Sequence, residues 1–174
     1  MVPPCEPPAL VDAVYSVGLV SHGHTLGGTG IVTMDGGRWS LTLLSPGGLE
    51  LFTASGPPPA VATGIPAWAP YLKKLPFERD LWLAFTVVPG GRCTVGGGTL
   101  RARGAGTTGE GPAGEDETGE TPRRTVWRGA GGRARADATA GRVVVRDPRR
   151  RYTLTLVAPP VADPAADPEA PDAP

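Results

Sequence analysis

The run of residues 30–56, GIVTMDGGRWSLTLLSPGGLELFTASG, constrains the fold of this chain more than any other segment. It contains two corners, DGG and SPGG, in which glycine supplies the positive-φ positions that tight β-turns need. Around these corners apolar and polar residues alternate, which is the period of a strand with one buried face. The residues predicted on the apolar face are Trp39, Leu41 and Leu43, followed on the next strand by Leu49 and Leu51. The run therefore predicts three antiparallel strands that share an apolar face.

Length and composition favour one domain with unstructured segments. A chain of 174 residues gives no strong case for two domains. Gly and Pro together make up about 27% of the residues, which is typical of chains with low-complexity stretches. Three regions have too few apolar residues to offset the entropy of ordering them: 1–10, 104–122 and 159–174. We expect these to be, respectively, a flexible Pro-rich segment, a disordered loop and a disordered Pro/Ala/Asp tail, with the folded domain at 11–158.

Further strands are predicted on both sides of a helical region. They lie at 12–21, 92–95, 99–102, 124–128, 133–137, 142–147 and 151–157. The glycine-broken segment 22–28 is expected to be a connection. The sequence GPPP at 56–59 is expected to end the first group of strands, because proline cannot donate to a β-ladder.

The segment 66–85 predicts two short amphipathic helices, each beginning near a proline. The apolar positions at helical spacing are Trp68, Tyr71, Leu72 and Leu75 in the first and Phe77, Leu81 and Phe85 in the second. Helices that follow a strand meander are expected to lie across the apolar face of a curved sheet. The predicted fold class is mainly β: a single antiparallel half-open barrel or strongly curved sheet covered by two short helices.

In this order of elements the chain resembles the LolA/LolB family of bacterial lipoprotein carriers and receptors, and related outer-membrane lipoproteins. The resemblance rests on the Trp-led strand and Ser-Pro-x-Gly corner within 39–56, the helical segment 66–85 and the strand pair within 142–157. It implies an incomplete antiparallel barrel whose apolar inside is lidded by short helices. Such a cavity can shelter acyl chains.

The predicted ligand site is the apolar cavity of that barrel. Its expected lining is Trp39, Leu41, Leu43, Leu49, Leu51, Trp68, Leu72, Leu81, Phe85 and Leu154. Apolar pockets of this kind are usual ligand sites. The expected function is therefore non-catalytic binding of a lipid or an acylated protein. The alternative for the same residues is a closed core, in a structural or interaction module.

The two cysteines, Cys5 and Cys93, bear on the location of the protein. Cys5 is followed by Glu and prolines, as at the start of a mature lipoprotein, which predicts a lipid anchor on Cys5 and attachment to a membrane surface. The expected location is then the cell envelope, periplasm or outer membrane, with the true start upstream. A complete chain would be cytoplasmic, since the residues before Cys5 form neither a lipobox nor a signal peptide. A free thiol and a Cys5–Cys93 disulfide are the remaining alternatives.

Charge is unevenly distributed although the formal net charge is zero. Residues 123–151 hold ten arginines against two aspartates. Among them Arg149, Arg150 and Arg151 form a candidate anion contact. A polyanion-binding domain is therefore a third alternative for the function. Few aromatic residues lie between these arginines, which speaks against nucleic acid as the partner, and strand edges protected from aggregation explain the same residues.

Motifs for catalysis or metal binding are not apparent in the sequence. His22 and His24 lack further ligands at a recognisable spacing. The glycine clusters lack the Lys-Ser/Thr of a phosphate loop, and there is no Gly-x-Ser-x-Gly elbow. We therefore expect no enzyme activity, no metal and no cofactor.

Overall fold

The computed structural model describes residues 2–8, 10–86, 88, 91–95, 97–103, 123–130, 132–139 and 141–160. Within these ranges the elements are β1 (Val11–Ser21), β2 (His24–Asp35), β3 (Arg38–Leu44), β4 (Glu50–Gly56), β5 (Ala60–Thr63), α1 (Ala69–Leu72), α2 (Phe77–Phe85), β6 (Arg92–Val95), β7 (Gly98–Arg103), β8 (Arg123–Gly129), β9 (Gly132–Thr139), β10 (Arg142–Asp147) and β11 (Tyr152–Val157). The loop predicted at 104–122 and most of the predicted tail, 161–174, lie outside the described residues. The helices of the described ranges are too short to cross a membrane.

The strands form one antiparallel sheet in the order β5-β4-β3-β2-β1-β11-β10-β9-β8-β7-β6. The first five strands make one meander, the last six make another, and both helices lie between them in sequence. β1 and β11 join the two meanders, with Leu19 opposite Leu154. No pairing between β5 and β6 is present in the described ranges, so the sheet stays open. The predicted fold class, a mainly β, open antiparallel sheet with two short helices, is confirmed.

The sheet curves around α2. This helix contacts β4 in the first meander and β8, β9 and β10 in the second, which lie on opposite sides of the central β1–β11 pair. Seven of its nine residues are buried. The ring of Phe77 stacks on Phe52 of β4 with 5.4 Å between centroids. The helix therefore fills much of the concave side as core, rather than covering an empty space beneath it.

Strand alternation holds where the pattern is regular. In β3, Trp39, Leu41 and Leu43 are all buried on the concave side, as predicted. In β11 the buried residues are Tyr152 and Leu154, together with Leu156, while the threonines between them are half-buried. Because side chains alternate between the two faces, one buried set per strand is enough to build the core.

The face predicted for the start of β4 is wrong. Leu49 lies in the turn before the strand and is 74% exposed. The fully buried residues of this strand are Phe52 and Ala54, whereas Leu51 is only half-buried. The reason is a register shift: Leu43 pairs with Phe52, but Leu44 pairs with Glu50. The extra residue moves every following side chain to the other face.

Two predicted interruptions are also corrected. The segment 22–28 is not a long connection, because the chain turns at His22 and Gly23, both with positive φ, and β2 begins at His24. The prolines after Gly56 do not end the sheet, since the chain turns there and returns as β5, which pairs with β4. Both differences arise because a tight turn needs only two or three residues.

The N-terminal segment is tied to β6. Cys5 forms a disulfide with Cys93, and the Cys5 amide donates to the carbonyl of Thr94 over 2.9 Å. The Thr94 amide in turn donates to the carbonyl of Pro3 over 2.8 Å. This part of the segment predicted to be flexible is therefore anchored. The predicted lipid anchor on Cys5 is also corrected, because its Sγ is already bonded to Cys93.

Candidate functional site

A cleft of about 550 Å³ lies at the open edge of the sheet, where the start of α2 meets the ends of the two meanders. Its lining is mostly apolar and comprises Trp39, Pro59, Ala60, Val61, Lys73, Leu75, Pro76, Phe77, Glu78, Arg79 and Val95. β5 and the preceding turn supply one side of the cleft, and β6 contributes Val95. The cleft therefore occupies the gap that an open sheet leaves between its two edge strands.

Trp39 forms a wall of this cleft because its neighbour on the adjacent strand is a glycine. Trp39 and Gly56 are directly opposite in the β3–β4 ladder. A Cβ atom on Gly56 would lie 2.7 Å from Trp39 Nε1, so only glycine leaves room for the indole. Trp39 Nε1 is buried and has no hydrogen-bond partner among the described residues. The glycine opposite thus makes room for the indole at the wall of the cleft.

Beneath the cleft, Arg79 binds two buried carboxylates. Its Nε and Nη2 both donate to Asp80 Oδ1, over 2.9 and 2.7 Å. Its Nη1 donates to Asp147 Oδ2 at the end of β10 over 2.8 Å. Asp80 and Asp147 are fully buried, and Arg79 is nearly so. Asp147 also accepts from Arg150 Nη1 over 3.2 Å, so Asp80 is the carboxylate whose only cationic partner among the described residues is Arg79.

Burial in this cluster shifts the protonation equilibria of its members. Burial raises the pKa of Asp80 from 3.8 to about 6, although contact with Arg79 opposes the shift. Burial also raises the pKa of Tyr152, with a further contribution from the charge of Asp80. For Asp147, burial raises the pKa, but hydrogen bonds from Arg79 and Arg150 outweigh it, so the net pKa is lowered. Asp80 is thus the carboxylate that takes up a proton first.

Arg79 also links the ion cluster to the far side of the cleft. Its guanidinium carbon lies 5.2 Å from the centroid of the Trp127 ring, which is cation–π distance. Trp127 Nε1 donates to the carbonyl of Val95, a cleft residue, over 3.1 Å. The position of Val95 is therefore coupled through Trp127 to Arg79.

The structure does not gather the predicted cavity residues around one hollow. Trp39 alone among them lines the cleft. Leu41, Leu43, Leu72, Leu81 and Leu154 are fully buried in the core, Leu51, Trp68 and Phe85 are partly buried against it, and Leu49 is exposed. The cleft residues that sequence reasoning missed sit mainly on β5 and at the start of α2. The signals for them were the apolar helix positions Leu75 and Phe77 and, on β5, Val61, an apolar residue flanked by alanines after the proline turn.

The arginines predicted as an anion contact point in different directions. Arg149 lines a pocket of about 440 Å³ on the outer face of the sheet, together with Arg133, Arg135 and Arg146. Arg150 instead turns toward the interior, with Nη1 3.2 Å from Asp147 Oδ2. Arg151 occupies the tight turn before β11 with a positive φ of 49°. The three do not form one site.

The cleft offers shape and apolar surface rather than reactive groups. The carboxylates beneath it are engaged by Arg79, and the described residues contain no cluster of His, Cys, Asp and Glu with metal-binding geometry. His22 and His24 lie beside the ring of Tyr71 at centroid distances of 6.1 and 6.3 Å. No known family model matches the chain, and no curated protein matches it in sequence.

Proposed function

We propose that this protein binds the acyl chain of a lipid or of an acylated protein, without catalysis, in the cleft at the open edge of its sheet. The observation that carries the proposal is the cleft itself, because its volume of about 550 Å³ and mostly apolar lining are those of a small-molecule pocket. The open, curved sheet with helices on its concave side is consistent with the resemblance to the LolA/LolB family.

The energetics of an apolar ligand support this choice. Burial of one methylene contributes about 0.8 kcal/mol, so about ten methylenes contribute about 8 kcal/mol. A binding free energy of that size corresponds to a micromolar dissociation constant before ordering costs are subtracted. No specific polar anchor is needed. Lys73, an exposed cation among the lining residues, suits a ligand with an anionic head group.

A location in the cell envelope is part of the proposal. The Cys5–Cys93 disulfide supports it, because structural disulfides persist mainly in oxidising compartments outside the cytoplasm. The proposal does not require a lipid on Cys5, whose sulfur is used in the disulfide.

The test is binding of a fluorescent polyene fatty acid to the wild-type chain and two variants. Val61→Trp places a bulky ring at a half-buried cleft residue of β5. Ala62→Trp, the next residue of the same strand, is exposed and absent from the cleft lining, so it is the matched control. We expect saturable binding that Val61→Trp weakens at least tenfold and Ala62→Trp leaves within twofold. Equal affinity in the two variants would exclude the cleft as the site.

A packed interaction module is the second candidate function. It is favoured by the burial of seven of the nine residues of α2, which fills the concave side of the sheet. In that case the fatty acid shows no saturable binding to the wild-type chain. The same titration therefore distinguishes the two candidates.

A further inference from the structure

The outer face of the second meander holds a pocket lined by arginines. Its volume is about 400 Å³, and its lining residues are Gly91, Arg92, Arg101, Ala102, Val126, Arg128 and Arg133. The four arginines come from four consecutive strands, β6 to β9, and all four are exposed. Among the residues that the structure describes, the lining includes no carboxylate. Four arginines without a described acid make a strongly positive concavity.

The strand register brings these arginines together in two direct pairs. Arg92 lies opposite Arg101 in the β6–β7 ladder. Arg128 lies opposite Arg133 in the β8–β9 ladder. Like charges directly opposite each other destabilise a sheet. Two such pairs around one pocket are therefore an arrangement that weakens the fold unless an anion offsets it.

Neighbouring arginines on the same sheet, in contrast, do have a carboxylate partner. Arg124, Arg135 and Arg146 each lie within 3.1 Å of the carboxylate of Asp137. In the part of the chain that the structure describes, no carboxylate lies within ion-pair distance of the four pocket arginines. The described part of the sheet thus supplies a carboxylate for one group of arginines and none for the adjacent group.

We propose that this pocket is a binding site for a diphosphate, either free or at the head of a lipid. Guanidinium groups bind phosphate oxygens in a bidentate fork, so four of them suit a ligand with several phosphate oxygens. A volume of about 400 Å³ is larger than one phosphate group needs and accommodates two with an attached organic group. The site is on the opposite face of the sheet from the ion cluster of Arg79, and its function does not depend on the apolar cleft.

The test titrates inorganic pyrophosphate into the wild-type chain, followed by calorimetry. Arg128→Gln removes one pocket cation, and Arg124→Gln is the matched control because it makes the same charge change on the same strand and face. We expect saturable binding that Arg128→Gln weakens about tenfold or more and Arg124→Gln changes less than threefold. Arg128→Lys should recover part of the affinity, because it restores the charge without the fork. Equal loss in both glutamine variants, or no binding to the wild-type chain, would overturn the proposal.

Stability gives a second readout that is independent of ligand affinity. Without an anion, Arg128→Gln should raise the midpoint of urea unfolding, because it relieves a like-charge pair, whereas Arg124→Gln should lower it. Pyrophosphate should raise the midpoint of the wild-type chain more than that of Arg128→Gln. A lower midpoint for Arg128→Gln in the absence of anion would contradict the proposal.

The source of the diphosphate is distinguished with vesicles. Sedimentation is compared between phosphatidylcholine vesicles and the same vesicles containing a diphosphate-headed lipid. Binding to the second alone, lost in Arg128→Gln, supports a lipid source, and pyrophosphate binding without vesicle binding supports a free one.

The acidic residues between β7 and β8 provide a last control: Glu110, Glu115, Asp116, Glu117 and Glu120. Pyrophosphate binding only after these five are replaced by amides would overturn the proposal.

Discussion

Arg79 Nη1 donates a hydrogen bond to Asp147 Oδ2 over 2.8 Å and thereby joins the first turn of α2 to the end of β10. The two residues are 68 positions apart in the chain, and both are buried. This contact fixes the helix against the second meander at the point where the cleft opens above it. The cluster that includes Asp80 is therefore a place where stability, charge and cleft geometry can all be tested.

Removal of the central cation should be costly. Arg79→Met leaves Asp80 buried without a cation and leaves Asp147 with Arg150 alone, and we expect the free energy of unfolding to fall by about 3–5 kcal/mol at pH 7. Arg124→Met, at an exposed ion pair, should cost less than about 1 kcal/mol. Urea unfolding of both variants measures the difference. A similar small loss in both would show that the buried cluster does not stabilise the fold.

Asp80 should make stability depend on pH in an unusual direction. Its pKa is about 6 in the folded chain against an ordinary 3.8, so the folded state holds the proton more tightly than the unfolded state. Its contribution is therefore fully present at low pH and is lost as pH rises from about 4 to 6. When the pH is lowered from 7 to 5, the free energy of unfolding of the wild-type chain should rise by about 1 kcal/mol.

The control for this pH effect is Asp80→Asn, which keeps an oxygen acceptor for Arg79 but cannot titrate. Its unfolding free energy should lack the gain between pH 7 and 5. Asp147 acts in the opposite direction, because its pKa is lowered in the folded chain. Its contribution to the free energy of unfolding is lost only as the pH falls below the ordinary pKa of an aspartate. Identical pH profiles for the wild-type chain and Asp80→Asn would rule out Asp80 as the titrating group.

The disulfide should stabilise the folded chain strongly. Cys5 and Cys93 are 88 positions apart, so their bond removes much of the conformational freedom of the unfolded chain. By the chain-entropy model, loss of the bond in Cys5→Ala/Cys93→Ala should lower the free energy of unfolding by about 4.6 kcal/mol. The wild-type chain should react with a thiol reagent only after reduction. Reaction of one thiol without reduction, or a thioether-linked lipid on Cys5, would contradict the pairing.

Gly56 should be intolerant of a side chain. Gly56→Ala places a Cβ atom against the indole of Trp39, and we expect it to cost about 1–3 kcal/mol and to reduce fatty-acid binding, since Trp39 lines the cleft. Gly47→Ala is the control, because the nearest atom to its Cβ is Ser45 Oγ at 3.8 Å. Urea unfolding and the fatty-acid titration measure both effects. Equal stability of the two variants would mean that the indole moves away at no cost.

The register shift in β4 predicts a contrast between two apolar residues. Phe52→Ala should destabilise the chain by about 3–5 kcal/mol, because the side chain is fully buried and stacks on Phe77. Leu49→Ser should change stability by less than about 0.5 kcal/mol, because Leu49 is exposed in a turn. Chemical denaturation compares the two. A larger loss of stability in Leu49→Ser would instead show that β4 buries the face predicted from simple alternation.

Much of the fold could be predicted because the relevant patterns are local. The alternation that buries Trp39, Leu41 and Leu43 spans only five residues, and the strands follow from such runs. The second helix follows from apolar residues four apart. The position of Phe52 could not be predicted, because a bulge depends on how two strands pair rather than on either strand alone.

The candidate site was much less predictable than the strands. In the sequence, Asp80 falls near the start of the segment predicted as the second helix, where an acid is ordinary. Only the folded chain brings it, with Arg79, to Asp147 at the end of β10. In the same way, nothing local marks Val95 as a neighbour of Val61 across the opening. These contacts join residues far apart in the chain.

The sequence by itself determined most of the strands and turns, though not β5 or the start of β2, and most of the faces that they bury, because these depend on period, glycine and proline. The tertiary structure alone decided that five predicted cavity leucines are core and that the cleft lies at the open edge instead. The physical reason is that α2 enters the concave side of the sheet and fills it. How deeply a helix enters a curved sheet depends on packing between distant elements, which no local pattern encodes.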